Sequence, residues 1–334
     1  MFVLKKPTAA LSNEYKNKIL QGLIGRVKSG RESNNAHIEL STDAKNILLP
    51  NWNTDNPNAS ILEQLLISEP VDLKNLNDNL MEQLDALIAP NKPGKNLLLK
   101  IFNYEGVFND SSKSRAFWLA KKIERKTCVY CNRQYIFTVE KGNGNNKQER
   151  IARPVFDHWF PKDKYPLLSI SLFNLIPSCT ICNSSVKGSV DLSFEDHLHP
   201  YVDEGRMLDF TFKASKTIDK KPKWTVKINR QKDSKEDKTI KAFRLDEIYA
   251  MHGELEVLDI MYFKESYPDG YLSDLFDNLL KDCTRKMTKY DVYRMLFGTE
   301  MDSDKFLDRP FGKLKHDLLK EILNIDTKTS KQIQ

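Results

Sequence analysis

Cys128-Val129-Tyr130-Cys131, Asp157-His158, Asn174-Leu175 and Cys179-Thr180-Ile181-Cys182-Asn183 are the landmarks of the stretch, residues 128 to 187, that decides the fold. Each C-x-x-C turn places two sulfurs on one edge of a tetrahedron. Two such turns give Zn²⁺ four soft ligands and leave no open position, so the zinc expected on Cys128, Cys131, Cys179 and Cys182 is structural. A redox role explains one C-x-x-C and does not need two. The pairs stand 47 residues apart, more than a simple zinc ribbon requires, so the intervening chain must fold back and enclose something.

Asp157 and His158 lie inside that insertion. A carboxylate is a hard oxygen donor suited to Mg²⁺ or Mn²⁺. A histidine that titrates near neutrality can take a proton from water. On an extended strand adjacent side chains point to opposite faces, so a bulge or a strand end is needed to aim both at one phosphate.

The totals fit a globular protein with a polyanionic partner. The chain has 334 residues, a soft prior for two or three domains, and a formal net charge of +6. Its opening, Met-Phe-Val-Leu-Lys-Lys-Pro, carries too short an apolar run for a secretory leader. No apolar run reaches the roughly 18 residues of a membrane span. A cytoplasmic location follows as the expectation, and there paired cysteines favour zinc over disulfide.

The expected fold class is α+β and mostly helical. Residues 1–110 read as a helical region: Leu11–Val27 and Ala59–Ile67 space apolar residues three and four apart. Asn51–Pro57 and Pro90–Gly94 read as loops; the latter is no phosphate-binding loop, because the upstream glycine and the Ser/Thr after Lys95 are missing. No Walker motif occurs, so ATP hydrolysis is not expected of this chain.

Residues 111–200 read as the core: a helix Ser111–Lys126, a strand Gln134–Val139, a polar turn Glu140–Arg150, a strand around Arg153–Phe160, and a short helix from Cys179 through Val186 stopped by Gly188. Residues 201–334 read as a β-hairpin, Asp209–Lys213 with Lys223–Asn229. Helices over Ile240–Asn324 follow, broken at Tyr267–Gly270, Gly298 and Arg309-Pro310, and then a polar tail, Thr327–Gln334. Lys121, Lys122, Arg125, Lys126 and Arg133 against Glu124 make a basic stretch beside the core, with Lys126 and Arg133 candidate phosphate contacts.

Cys128-x-x-Cys131, Asp157-His158-x-x-Pro161, Asn174-Leu175 and Cys179-x-x-Cys182-Asn183 with Lys187 downstream resemble the HNH, or ββα-metal, nucleases stapled by a four-cysteine zinc. The resemblance spans about a fifth of the chain. It implies a central ββα-metal core flanked by helical segments, with Asp157 and Asn183 as ligands of a catalytic Mg²⁺ or Mn²⁺ and His158 as the general base. Asn174 would tie the hairpin loop beside His158, and Lys187 would touch phosphate or backbone. The implied products carry 5′-phosphate and 3′-hydroxyl ends.

Two departures stand out: one extra residue between Asn183 and Lys187, and a long stretch between Cys131 and Asp157. More loosely, the Asp-His-Trp-Phe-Pro-Lys and Cys-Asn-Ser-Ser-Val-Lys-Gly segments are similar to HNH subunits of Septu-type anti-phage systems, which implies an ATPase partner.

The expected activity is therefore nucleic-acid phosphodiester hydrolysis, on DNA sooner than RNA. The alternatives are a ribonuclease effector and a zinc-stapled binding module in which Asp157-His158 is incidental. Tyr130, Tyr135, Trp159 and Phe160 read as packing around the zinc sooner than as base-stacking residues. His197 and His199 read as structural, and Cys283 as a core thiol.

Overall fold

The computed structural model describes residues 2–33, 36–87, 94–108, 114–142, 149–203, 209–218, 220–221, 223–268, 270–275, 278 and 288–324. Helix α1 (Ala9–Ser29) starts where the Thr8 side chain accepts from Leu11 N–H at 3.2 Å. It ends at Gly30, φ 69°, where an added Cβ would stand 2.2 Å from the Ile38 carbonyl oxygen. That tight turn leads into a hairpin not anticipated from the sequence, β1 (Arg31–Ser33) with β2 (Ala36–Ile38). The helices α2 (Thr42–Leu48), α3 (Ser60–Ile67), α4 (Pro70–Leu87), α5 (Gly94–Ile101) and α6 (Tyr104–Phe108) follow. Residues 51–57 form the expected loop. Of the loop expected over 90–94, residues 90–93 lie outside the described residues, and Gly94 opens α5.

Helix α7 (Arg115–Ile123) ends earlier than the sequence suggested, so Lys126 is not part of it; residues 111–113 lie outside the described residues. Glu124 turns left-handed, φ 48°, because the next residues pair with the far side of the first C-x-x-C turn. Ile136 N–H donates to the Lys126 carbonyl at 2.8 Å, and Cys128 N–H to that of Gln134 at 3.0 Å. This pairing also takes up the first part of the strand expected over residues 134–139. Regular pairing begins only at β3 (Val139–Lys141), which runs antiparallel to β4 (Glu149–Ala152). Residues 143–148 of the polar turn lie outside the described residues.

The central hairpin is β5 (Val155–His158) against β6 (Leu175–Ser178), with Asp157 opposite Ile176 and His158 opposite Leu175. After Cys179 the chain forms a π-helix, Ile181–Lys187, where an ordinary helix was expected, and Gly188 ends it at φ 52°. A π-turn takes one residue more than an α-turn. The extra residue before Lys187 is absorbed there, so Lys187 still faces the hairpin.

The remaining elements are β7 (Thr211–Lys216) antiparallel to β8 (Trp224–Asn229), then α8 (Lys235–Ala242), α9 (Leu245–Ser266), α10 (Tyr271–Asp274), α11 (Lys289–Phe297) and α12 (Gly312–Leu323). Helix α9 lies against β8 at Gly253, where a Cβ would stand 2.5 Å from the Thr225 backbone. The breaks at Tyr267, Pro268, Gly298 and residues 309–310 are present, and Asp269 lies outside the described residues. The polar tail, residues 327–334, and Cys283 lie outside the described residues. The fold is thus mixed α+β with small antiparallel sheets. One cluster of buried apolar side chains extends from Leu4 through Tyr130 and Trp159 to Leu319. Among the described residues no helix is long and apolar enough to cross a membrane.

Candidate active site

The hairpin loop and the two C-x-x-C turns meet at one place. Cys128, Cys131, Cys179 and Cys182 are buried free thiols whose sulfurs all lie within 4.8 Å of one another. The Cys131 and Cys179 sulfurs are 4.0 Å apart, too far for a disulfide. The spacing suits a tetrahedron of Zn–S bonds of about 2.3 Å, whose edges are about 3.8 Å. Within the cluster, hydrogen bonding with Cys128 pulls the Cys131 and Cys179 thiols down, while burial pushes Cys128 up and hydrogen bonding with the other three pushes Cys182 up. Cys182 N–H also points at the Cys179 sulfur, at 3.4 Å. The four cysteines therefore form a site that can hold a metal such as zinc. Among the described residues they are the only group of three or more His, Cys, Asp or Glu side chains so placed.

Asn132, directly after Cys131, takes the left-handed conformation, φ 48°, which Asn tolerates well. Its buried amide nitrogen donates to the Thr127 hydroxyl (2.9 Å) and to the carbonyls of Phe306 and Arg309 (both 3.0 Å). Its amide oxygen accepts from Gly312 N–H (2.8 Å). Tyr249 of α9 donates its hydroxyl to the Cys131 carbonyl. The cysteine turn is thereby fastened to the C-terminal helices. The sequence reading overlooked both residues. The one available signal was an Asn at the turn position after a C-x-x-C pair.

Asp157 is buried on β5. Its carboxylate accepts from the Tyr130 hydroxyl at 2.6 Å and from the Lys187 ammonium at 3.3–3.4 Å. Burial pushes its pKa up, against the opposing pull of Lys187 and Tyr130. Lys187 also donates to the His158 carbonyl at 2.7 Å.

His158 has different neighbours, as the regular register of β5 and β6 requires. No bulge brings its side chain round to that of Asp157. Its ring meets Tyr104 edge-on at 4.6 Å between centroids, and Nε2 lies 2.8 Å from the Ser169 carbonyl oxygen. A carbonyl only accepts, so Nε2 carries the proton and Nδ1 the lone pair. Burial pushes the pKa of His158 down to about 4, so the ring is neutral at pH 7.

Asn174 is fully buried and closes the loop between the strands. Its amide oxygen accepts from Phe160 N–H at 2.7 Å, and its nitrogen donates to the carbonyls of Phe160 (3.1 Å) and Leu168 (2.9 Å). The N-terminal helices hold the same loop from outside. Tyr15 of α1 donates to the Ile170 carbonyl at 2.6 Å, and the hydroxyls of Ser169 and Ser171 donate to the carbonyls of Phe102 and Leu65.

Asn183 is half-buried in the π-helix, with its amide 3.5 Å from the Ser184 hydroxyl. Lys126 pairs with Asp308 at 3.3 Å. Arg133 reaches His252 at 3.4 Å, and its Nε is buried without a partner. Trp159 and Phe160 are buried among Phe194 and His199, whereas Tyr135 is half exposed and stacked on Phe137 at 4.8 Å. The oxygen and amide donors of Asp157 and Asn183 are of the type a hard divalent cation takes. The carboxylate is shared by Tyr130 and Lys187, so a cation could occupy it only if Lys187 withdrew.

Comparison with known proteins gives two local likenesses. Over 50 residues, 14% of this chain and 17% of the other, the chain is 44% identical to Protein ea31 of Escherichia phage lambda. Over 82 residues, 25% of this chain and 27% of the other, it is 37% identical to Septu protein PtuB of Bacillus thuringiensis. No family model matches the chain. No solved structure matches it either. The matches thus span about a quarter or less of each of these relatives, which makes the chain similar in part to a phage protein and to a Septu protein.

Proposed function

We propose that this chain is an HNH-type endonuclease, a ββα-metal core stapled by zinc on four cysteines, that hydrolyses nucleic-acid phosphodiesters in anti-phage defence. The observation that supports it best is the Asn174 clasp. One amide closes the β5–β6 loop on both sides of Phe160, next to His158 and one strand away from the cysteine turn. In this reading His158 takes a proton from water through Nδ1, its other nitrogen being tied to Ser169. Asp157 and Asn183 would hold Mg²⁺ or Mn²⁺ once Lys187 moves off the carboxylate, and the ion would supply Lewis-acid polarisation of the phosphate. The local likeness to a Septu protein supports the defence role; an ATPase partner is what the resemblance of the sequence segments implies. The residue ranges 1–110, 111–200 and 201–334 remain our proposed division of the chain.

Incubation of purified protein with plasmid DNA and with RNA, in Mg²⁺ or Mn²⁺ and in EDTA, tests the reading. Cleavage that needs the divalent ion and vanishes in His158→Ala, at unchanged zinc content, is the expected result. Cleavage undiminished in His158→Ala removes that residue from the chemistry.

A second reading is a zinc-stapled nucleic-acid binder without catalysis. The different surroundings of Asp157 and His158, and the Lys187–Asp157 pair, favour it. Nucleic-acid binding with no cleavage under any divalent ion would select it.

A further inference from the structure

A cavity of 390 Å³ opens between the N-terminal helices and the loop after β5; its lining includes three cations, Arg31, Lys100 and Lys162, two carboxylates, Glu105 and Asp163, and the ring of Tyr104. This is near the lower end of the roughly 300–1,000 Å³ of small-ligand sites. Its cations differ in what they hold. Lys162 is paired with Glu105. Among the described residues Arg31 donates only to the backbone carbonyls of Glu32 and Lys100, both at 3.4 Å, and no carboxylate among them pairs with it. The Lys100 side chain makes no ion pair among the described residues, and the residue is exposed.

Gly106 helps to keep this wall open. A Cβ there would stand 2.3 Å from the Asn103 amide nitrogen and 3.6 Å from an Arg31 guanidinium nitrogen. Asn103 spends its oxygen on Gly106 N–H at 3.1 Å, which leaves its amide nitrogen as a donor beside Arg31. Two of the lining residues also hold His158: Tyr104 touches its ring, and the Ser169 carbonyl accepts from it.

We propose that this cavity seats one unpaired nucleoside phosphate, its phosphate between Arg31 and Lys100. The source is the nucleic-acid strand itself, a step that rests on the nuclease reading. A cavity of this size has no room for a base pair. Two cations without carboxylate partners among the described residues and an amide donor are what a phosphate anion takes, and Tyr104, whose ring is stacked on Phe108, offers an aromatic wall to a base.

Binding without divalent ions separates this inference from the chemistry. The probes are a fluorescein-labelled single-stranded oligonucleotide and, in a second arm, AMP. Arg31→Gln and Lys100→Gln should each weaken oligonucleotide binding about tenfold and lower the slope of log Kd against log salt by about one per lost contact. Lys100→Arg should keep both. Wild-type-like melting curves of the variants exclude a folding defect. Weakened AMP binding with unchanged oligonucleotide binding would move the site to a free nucleotide and overturn the strand assignment. Equal binding by wild type and variants, or no binding by wild type, would overturn the site. Arg31-dependent binding by a protein that never cleaves would support the site and sink the nuclease.

Discussion

The ammonium of Lys187 stands 3.3 Å from the carboxylate of Asp157, and both side chains are almost closed to solvent. A buried pair of this kind gains little over apolar packing, yet removal of one partner strands the other charge at a cost of about 3–5 kcal/mol. Lys187→Met should therefore lower unfolding free energy in urea by about that much. Lys187→Met with Asp157→Asn should recover a large part of it. A single variant as stable as wild type would mean that the pair is not formed in solution.

The same pair sets a prediction for metal binding. With the ammonium gone, Asp157 is free to take a cation, so Lys187→Met should bind Mn²⁺ more tightly than wild type by electron paramagnetic resonance titration. Weaker binding would place Lys187 among the groups that build the cation site, not among those that compete for it.

The cysteine site should carry one zinc per chain by elemental analysis. Cys182→Ser, or a strong chelator, should release it and broaden the melting transition, because metal binding to such a site is itself folding free energy, on the order of 10 kcal/mol. Metal-free protein that melts as sharply and as high as the untreated sample would remove the staple.

His199 gives a pH signature. It is fully buried among Trp159, Phe194 and Tyr201, and burial pushes its pKa down to about 3. The unfolded chain binds this proton near pH 6.5, so its contribution is complete above that pH. Stability should fall as the pH drops from about 6.5 toward 3, by up to about 1.4 kcal/mol per pH unit for this one group. His199→Gln should flatten that part of the curve while its zinc content stays unchanged. A slope identical to wild type would show that other groups govern the acid limb.

Asn174→Ala would leave Phe160 N–H and two carbonyls unsatisfied in the interior, at about 1–3 kcal/mol for each group that water cannot reach. Hydrogen exchange of residues 160–168 should rise by orders of magnitude while the cysteine turn keeps its zinc. Unchanged exchange would show that packing alone holds the loop.

The sequence was most informative where chemistry fixes residue type. The four cysteines meet as their spacing requires, and the helices α1 and α3 follow from apolar periodicity. The hairpin β1–β2 escaped notice because residues 31–38 are few and lack alternation. The ends of α7 and β3 were misplaced because pairing across the cysteine turn claims residues 126–128 and 134–136, a long-range demand that no local pattern announces. The extra residue before Lys187 was visible as a count. Its remedy, a π-turn, shows only in three dimensions. The partners of Asp157 and His158 were equally hidden: Tyr130 sits between two cysteines, and Tyr104 comes from a helix far up the chain.

Asn132 has one more consequence. A single amide in the first cysteine turn holds carbonyls and an N–H drawn from residues 306 to 312, about 180 positions downstream. The segment around the four cysteines is thus not autonomous. Excising it as a minimal fragment would strip this amide of three partners at once, and the shortest piece able to keep its shape extends at least to α12.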